Sequence, residues 1–309
     1  MDWLYITLGV IAGLVLIFLG ILYFIYYNSF YSPHKGQNND YFLTPKTLEY
    51  TTEDKIYPMI DKLKAIPFEE AYITSFDKKK LFARIYENKD SNKVVIMCHG
   101  YRGTAYRDFS GGAYDMITSG YNVILIDERA HGKSGGHSIT FGVKEKRDLA
   151  SWLEFAKKRF GEDKQTIFVG ISMGGATVLL ASNLLKEGDK VIADCPYITP
   201  KSIISETLES TLKMNPKFFY PIANMASIIY GHANLSKDDA SRSIKESKAK
   251  FLIIHGDKDT IVPYKYSYKV YEENKDKIRY ELFKDTEHGI SYITDNERYK
   301  KAVQEFLKD

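Results

Sequence analysis

The sequence begins with a long uncharged run, from Trp3 to Tyr27, that few structures can accommodate. As a helix rising about 1.5 Å per residue, its 25 residues would span about 37 Å, and a hydrocarbon core is about 30 Å thick. Trp3 and Tyr5 stand at one end and Tyr23 and Tyr26 at the other, as aromatic side chains do at membrane interfaces. We expect residues 1–28 to form a single-pass membrane anchor.

A cleavable signal peptide is the alternative interpretation of this run. It fits less well, because no Lys or Arg precedes the run, the run is too long for a signal-peptide core, and no A-x-A-like site follows it. We therefore expect the anchor to remain uncleaved.

Two further expectations concern the anchor. Gly9 and Gly13 form a G-x-x-x-G pair that would let two such helices pack closely, although two small residues facing lipid is the simpler interpretation.

Only Asp2 precedes the run, whereas Lys35 and Lys46 follow it, so the positive-inside rule favours a cytoplasmic position for the rest of the chain.

The remaining chain divides into a linker and one large domain. Residues 29–44 are polar and contain Pro33 and Gly36, which predicts a tether. Residues 45–309 are long enough for a single α/β domain with an insertion.

Composition excludes several classes of function. Lys plus Arg is 43 and Asp plus Glu is 40, a net charge of +3, which is too small for a nucleic-acid-binding surface. The two cysteines cannot form a disulfide framework or a four-thiolate zinc site. No histidine spacing indicates a metal site, so we expect neither metal nor cofactor.

Strand and helix patterns alternate through the domain. Continuous apolar runs predict strands buried on both faces, and helical spacing of apolar residues predicts the helices between them. The predicted strands are 71–75, 81–86, 94–98, 122–126, 166–169, 191–193, 251–254 and 279–283. The predicted helices are 112–118, 143–160, 176–185, 264–274 and 296–307. This alternation predicts an α/β fold, with a mostly parallel sheet covered by helices on both faces.

Residues 199–247 interrupt the alternation, since they hold two helical patterns, separated by Pro216, and no convincing strand. An all-helical insertion between two strands predicts a lid over the carboxyl edge of the sheet.

The pattern G-x-S-x-G occurs twice, around Ser134 and around Ser172. The first copy follows a charged segment and leads into another loop. The second copy, at 170–174, follows a predicted strand and opens a predicted helix, which is the context that raises a serine hydroxyl into a cleft. Ser172 is therefore the candidate nucleophile, and we expect Ser134 to be a loop residue.

These motifs resemble the α/β-hydrolase superfamily over nearly the whole domain. The motifs that carry the resemblance are HGY at 99–101, DERAHGKS at 127–134, GISMGG at 170–175, GDKDTIVP at 256–263 and EHG at 287–289. The chain is most similar to the branch of serine esterases and peptidases related to prolyl oligopeptidase and serine aminopeptidase, several of which carry an N-terminal membrane anchor. The resemblance implies an α/β-hydrolase fold.

The resemblance also implies a catalytic triad. Of the seven histidines, only His288 lies in the last loop, after the acid, as the chain order Ser…Asp…His requires. Asp259 occupies the acid position of the family pattern G-x-x-D-x-x-V-P. Asp194 is an alternative acid, because some relatives place it there, and Asp257 is expected to hold the loop.

The tetrahedral intermediate needs two amide donors for its oxyanion. The resemblance assigns these to Met173, directly after the nucleophile, and Tyr101, in the loop that follows His99. That loop reads HGYRG rather than the HGGG of many lipases, which makes a wide acyl pocket less expected. The substrate-binding candidates are Arg102, Tyr197, Phe218 and Phe219, with a loop salt bridge as the alternative role of Arg102 and ordinary lid packing as that of the phenylalanines.

We therefore expect a membrane-anchored serine hydrolase that cleaves carboxylic esters through an acyl-enzyme. A peptidase or amidase is the first alternative, because the same triad cleaves either bond, and a lysophospholipase or monoglyceride lipase is the second. A catalytically silent binding module is the alternative from another class. The expected partners are a small ester, lipid or peptide substrate and the membrane, with no nucleic acid.

Overall fold

The structure, a computed structural model, describes residues 2–33, 39–43, 48 and 51–308. Within these residues the chain forms an eight-stranded sheet in the order β1-β2-β4-β3-β5-β6-β7-β8. The strands are β1 Glu69–Thr74, β2 Lys80–Tyr86, β3 Lys93–Cys98, β4 Asn122–Asp127, β5 Gln165–Ile171, β6 Lys190–Asp194, β7 Lys250–Gly256 and β8 Ile278–Phe283. Only β2 runs against its neighbours, so β3 to β8 end at one carboxyl edge.

Helices follow most strands and cover both faces of the sheet. They are α1 Asp2–Ser29, α2 Glu53–Lys64, α3 Ala105–Asp108, α4 Gly112–Thr118, α5 Glu145–Phe160, α6 Met173–Leu180, α7 Pro200–Glu206, α8 Pro216–Gly231, α9 Ala240–Glu246, α10 Lys265–Glu273, α11 Ser291–Thr294 and α12 Asn296–Lys308. A short 3₁₀ turn, Ser182–Leu184, follows α6, and a π turn, Thr207–Thr211, follows α7.

The central strands are buried on both faces, and their side chains divide between two cores. In β3, Val94 and Ile96 pack into the core that contains Trp152, whereas Val95 and Met97 pack into the core on the other face. Successive strand side chains point to opposite faces, so a strand covered on both sides must be apolar at every position. The continuous run VVIMC meets this requirement.

The predicted α/β architecture is confirmed, with boundaries that shift by a few residues at most strands. The predicted helix 176–185 begins earlier, at Met173, and the predicted helix 143–160 begins at Glu145. Helix α2 was not predicted, although its buried residues Ile56, Ile60 and Leu63 have helical spacing.

The first residues of the predicted tether are attached to the domain, because residues 30–32 pair with residues 137–139. Tyr31 forms a bridge with Ser138, and the amide of Ser32 donates to the carbonyl of His137 at 2.8 Å. The amide of Ile139 donates in turn to the carbonyl of Phe30 at 2.8 Å. Much of the predicted tether, 34–38 and 44, and its boundary with the domain lie outside the described residues.

Candidate active site

Ser172 stands at the sharp turn between β5 and α6, at the carboxyl edge of the sheet. Its backbone has φ 54° and ψ −114°, a conformation that non-glycine residues rarely adopt. The turn brings neighbouring backbone segments close together, so that side chains cannot be accommodated at Gly170 and Gly174. These glycines explain why the motif needs small residues on both sides of the serine.

Replacing Gly174 by alanine is expected to destabilise the domain by about 3 kcal/mol. The new Cβ would overlap the carbonyl oxygen of Cys98 and lie 2.7 Å from that of His99, and neither backbone atom can rotate away. Gly112→Ala is the matched control, since its Cβ would meet no atom closer than 4.0 Å. Thermal unfolding of the two detergent-solubilised variants tests this, and equal midpoints would contradict it.

The structure brings Ser172, His288 and Asp259 together, although 116 residues separate the serine from the histidine. Nδ1 of His288 lies 2.7 Å from Oδ2 of Asp259, and Nε2 lies 2.7 Å from Oγ of Ser172. A proton on Nδ1 donates to the carboxylate, which leaves Nε2 free to accept the serine proton. The arrangement can therefore deprotonate the hydroxyl as that oxygen attacks an electrophile.

Asp259 is buried and held in place by its own loop. Its Oδ1 accepts hydrogen bonds from the amides of Ile261 at 2.9 Å and Val262 at 2.7 Å. Burial alone would raise the pKa of Asp259, but the charge of His288 and hydrogen bonds from His255 and His288 outweigh it and hold the pKa well below its ordinary value. The carboxylate is thus charged at neutral pH and can stabilise an imidazolium.

Asp194, the alternative acid, has a different environment at the end of β6. Its carboxyl accepts a hydrogen bond from the hydroxyl of Ser291 at 3.3 Å. Burial raises the pKa of Asp194 to about 6. Its backbone carbonyl accepts from the amide of Ser172 at 2.9 Å, so this residue supports the serine turn through its main chain.

The two amides assigned to the oxyanion are held in place by neighbouring groups. Met173 is the first residue of α6, where helix geometry leaves the amide without a partner in its own helix. Tyr101 lies between two anchored residues: the amide of Gly100 donates to Asp108 at 2.8 Å, and that of Arg102 donates to Nε2 of His131 at 3.0 Å. Within the described residues, neither the Met173 nor the Tyr101 amide donates to a protein acceptor.

Ser134, in the other G-x-S-x-G segment, is buried in a loop as expected. Its hydroxyl donates to the carbonyl of Asp127 at 2.6 Å and accepts from the amide of Phe82 at 2.9 Å. The hydroxyl therefore joins β2 to the loop after β4 and does not reach a cleft.

The buried histidines outside the triad join neighbouring loops. Nδ1 of His99 lies 2.9 Å from the carbonyl of Gly100, and its Nε2 accepts from the amide of Glu128 at 3.0 Å. Nε2 of His255 lies 2.8 Å from the carbonyl of Val262, next to the Asp259 loop. Both rings fix loops that carry the site. His34 lies outside the described residues.

The four predicted substrate-binding residues occupy different surroundings. Tyr197 is buried beside Phe141, and among the described residues its hydroxyl has no hydrogen-bond partner. Phe218 is 64% exposed and Phe219 is 38% exposed, so both lie on the outer surface of the lid rather than inside it. The guanidinium of Arg102 donates to the carbonyl of Asn28 at 2.8 Å, and it forms no salt bridge with any residue that the structure describes.

Sequence reasoning missed the contact between α1 and the Tyr101 loop. The hydroxyl of Tyr101 donates to the carbonyl of Ser29 at 2.9 Å, next to the contact between Arg102 and Asn28. Both carbonyls are at the end of α1, where helix geometry leaves carbonyls without intrahelical partners. Because the acceptors are backbone atoms, no residue type in the sequence could have indicated these contacts.

Cys195 is a second neighbour of the site that the sequence did not indicate. Its Sγ lies 3.9 Å from Nε2 of His288, and Cys195, Asp259 and His288 are the one set of possible metal ligands found among the described residues. Burial raises the pKa of the Cys195 thiol well above its ordinary value, which makes it a poor ligand at neutral pH. His288 and Asp259 are also hydrogen-bonded to each other, which occupies the atoms that would bind a metal. The three residues therefore fit a proton-transfer site better than a metal site.

Comparison with known proteins supports the fold and its chemistry. A family model described as "Serine aminopeptidase, S33" matches residues 89–242. The solved structure of the Pyrococcus furiosus esterase Pf2001 superposes with a TM-score of 0.65 at 27% identity, covering 80% of this chain and 92% of that one.

Two curated relatives match at similar identity. The uncharacterized protein YqkD of Bacillus subtilis is 26% identical over 71% of this chain and 72% of its own length. The lysophosphatidylserine lipase ABHD12 of Danio rerio is 25% identical over 60% of this chain and 48% of its own length. With the sheet order and the serine turn described above, these matches identify the chain as a hydrolytic enzyme that belongs to the α/β-hydrolase superfamily.

Proposed function

We propose that the chain is a serine hydrolase that cleaves carboxylic esters through an acyl-enzyme, with Ser172, His288 and Asp259 as the triad. One observation carries the proposal: the His288 ring lies 2.7 Å from both the serine oxygen and the aspartate oxygen. This is the contact that a base needs in order to activate a hydroxyl.

The reaction takes place in two halves. Oγ of Ser172 attacks the ester carbonyl carbon while Nε2 of His288 takes its proton, and Asp259 stabilises the resulting imidazolium. The oxyanion is bound by the amides of Met173 and Tyr101. Collapse of this intermediate expels the alcohol, which takes the proton from Nε2. Water, deprotonated by His288, then attacks the acyl-enzyme and releases the acid.

Helix α1 supports the proposal of a membrane-anchored enzyme. Trp3–Ser29 is long and apolar enough to cross a membrane, and almost all of it is exposed on the protein. An exposed apolar helix of this length is unfavourable in water and suited to a bilayer. We propose that α1 is an uncleaved anchor.

A matched pair of substrates tests ester against amide hydrolysis. Esters are the expected substrates because one solved relative is an esterase and one curated relative is a lipase, although the matched family model is described as a serine aminopeptidase. The purified full-length chain is expected to hydrolyse p-nitrophenyl esters, with a kcat/KM at least about 100-fold above that of the p-nitroanilides of the same acyl groups. Equal or faster cleavage of the anilides, including aminoacyl anilides, would assign the chain as a peptidase.

A further inference from the structure

The lid helix α8 has an apolar face on its outer side. Positions i, i+7, i+10 and i+11 of this face are occupied by Phe218, Met225, Ile228 and Ile229, which we call the lid stripe, and the half-buried Ile222 at i+4 packs against the protein. Phe218 is 64% exposed and Met225 is 41% exposed. No charged residue occurs from Phe218 to Gly231, so the outer face lacks the charged side chains that a water-facing helix usually carries.

The opposite side of α8 packs against the protein. Tyr220, Ala223 and Ala226 are buried in a cluster that also contains Met173, the neighbour of Ser172. The lid stripe therefore lies on the outer side of the buried cluster that Met173, next to Ser172, joins from the inner side. A helix that is apolar on both sides needs a second apolar environment outside the protein.

The end of α1 lies against the end of α8. Leu22 is fully buried in the same cluster, and the hydroxyl of Tyr230 donates to the carbonyl of Leu19 at 3.0 Å. The rings of Tyr23 and Tyr230 meet edge to face, with centroids 5.3 Å apart. Whatever surrounds α1 at this level therefore also surrounds the end of α8.

The length of α1 indicates what that environment is. Residues 3–18 are all exposed and precede Leu19, whose carbonyl accepts the hydrogen bond from Tyr230, and 16 residues of helix span about 24 Å. A helix needs about four more residues to cross a hydrocarbon core of about 30 Å. If the core begins at Trp3, it therefore ends at the level of Leu22. The bilayer boundary therefore falls where α8 contacts α1.

Aromatic side chains mark the same level on both helices. The rings of Tyr23 and Tyr26 of α1 both pack against Tyr230 of α8, with centroids 5.3 and 5.7 Å apart, and Tyr27 packs against Tyr23. Tyrosine concentrates where hydrocarbon meets headgroups, because its ring is apolar and its hydroxyl is polar. This cluster is the pattern expected of a membrane interface shared by anchor and lid.

We propose that the lid stripe lies in the bilayer that α1 crosses, at the boundary between headgroups and acyl chains, and that lipid esters reach Ser172 directly from it. The first half depends on α1 as an anchor, and the second half also rests on the proposed esterase activity. This route requires the side chains packed between α8 and Ser172 to move apart, so that a single-chain lipid ester passes from the bilayer to Ser172 without exposing its acyl chain to water.

The position of the lid stripe can be measured without any enzymatic activity. Full-length Met225→Cys and Leu184→Cys proteins, labelled with an environment-sensitive fluorophore, are reconstituted in phosphatidylcholine vesicles. The two positions are matched, because both side chains are apolar and Met225 is 41% and Leu184 43% exposed. They differ in location, because Leu184 precedes β6 at the opposite edge of the sheet. Both native cysteines are buried, and the unsubstituted chain measures their background labelling.

Nitroxide-labelled phospholipids are expected to quench the probe at position 225 several-fold more than the probe at position 184. Quenching of the 225 probe by aqueous iodide but not by the labelled lipids would overturn the proposal. Shielding from both quenchers, with energy transfer between differently labelled chains, would assign the stripe to a second copy and would also overturn it.

The route of the substrate is tested with Met225→Glu, which places a charge in the stripe. Hydrolysis of water-soluble p-nitrophenyl acetate is expected to stay within about twofold of wild type, whereas hydrolysis of 1-oleoylglycerol in vesicles falls at least about tenfold. Equal loss on both substrates, or a wild type that cleaves only the soluble ester, would overturn the lipid route. If wild type cleaved neither ester, the proposed esterase activity would be wrong. The position of the lid stripe in the bilayer would still be decided by the quenching experiment.

Discussion

Ser172→Ala is expected to lower kcat/KM for p-nitrophenyl esters by at least about 10⁴-fold. The substitution removes the oxygen that lies 2.7 Å from Nε2 of His288, so no acyl-enzyme can form. The remaining amides of Met173 and Tyr101 could still polarise a carbonyl, which leaves only a small residual rate.

Covalent labelling by a fluorophosphonate probe gives a second measurement that needs no substrate. Wild type should be labelled and Ser172→Ala should not. Ser134→Ala is the matched control, since it removes the serine of the other G-x-S-x-G motif and should leave labelling intact. A folded wild type that resists the probe would support a binding module, and labelling of Ser172→Ala would mean that another residue is the nucleophile.

Asp259→Asn is expected to lower kcat by about 10⁴-fold at neutral pH. An asparagine amide directed at Nδ1 of His288 would donate a hydrogen bond to it, which moves the imidazole proton to Nε2. That nitrogen could then no longer accept the proton of Ser172. The substitution also removes the negative charge that stabilises the imidazolium. The pH–rate profile of the variant measures how much activity returns at high pH.

Asp194→Asn is the control that distinguishes the two acid candidates. Its carboxyl accepts from Ser291, and its support of Ser172 comes from the backbone carbonyl, which the substitution keeps. We expect its kcat to remain within about tenfold of wild type. If Asp194→Asn were the inactive variant and Asp259→Asn the active one, the acid would have to be reassigned to Asp194.

Much of the architecture could be predicted from sequence because its signals are local. The run at 94–98 is apolar at every position, since a strand covered on both faces has no side that faces water. The serine turn could be identified in the same way, because the strand, the two close glycines and the helix are consecutive. Helix α2 was not predicted, because Pro58 interrupts a spacing of apolar residues that is otherwise helical.

The surroundings of the site were harder to predict. Arg102 was assigned to substrate binding or to a loop salt bridge, but its guanidinium bonds to the end of α1. Phe218 and Phe219 are substrate-binding candidates by sequence, with ordinary lid packing as the alternative, and they lie exposed on the outer surface of the lid. The partner of Arg102 is distant in the chain, and the exposure of the phenylalanines depends on how α8 packs against the rest of the protein.

The sequence by itself determined the order of the eight strands and of the main helices that follow them, the residue that occupies the serine turn and the length of the apolar N-terminal run. These features depend on neighbours in the chain, through the periodicity of apolar residues and the conformational freedom of glycine. Only the tertiary structure decided that α1 packs on the lid, that Asp259 rather than Asp194 contacts His288, and that the end of α1 bonds to the Tyr101 loop. These contacts depend on how distant segments pack, and two of them use backbone carbonyls, which every residue type carries.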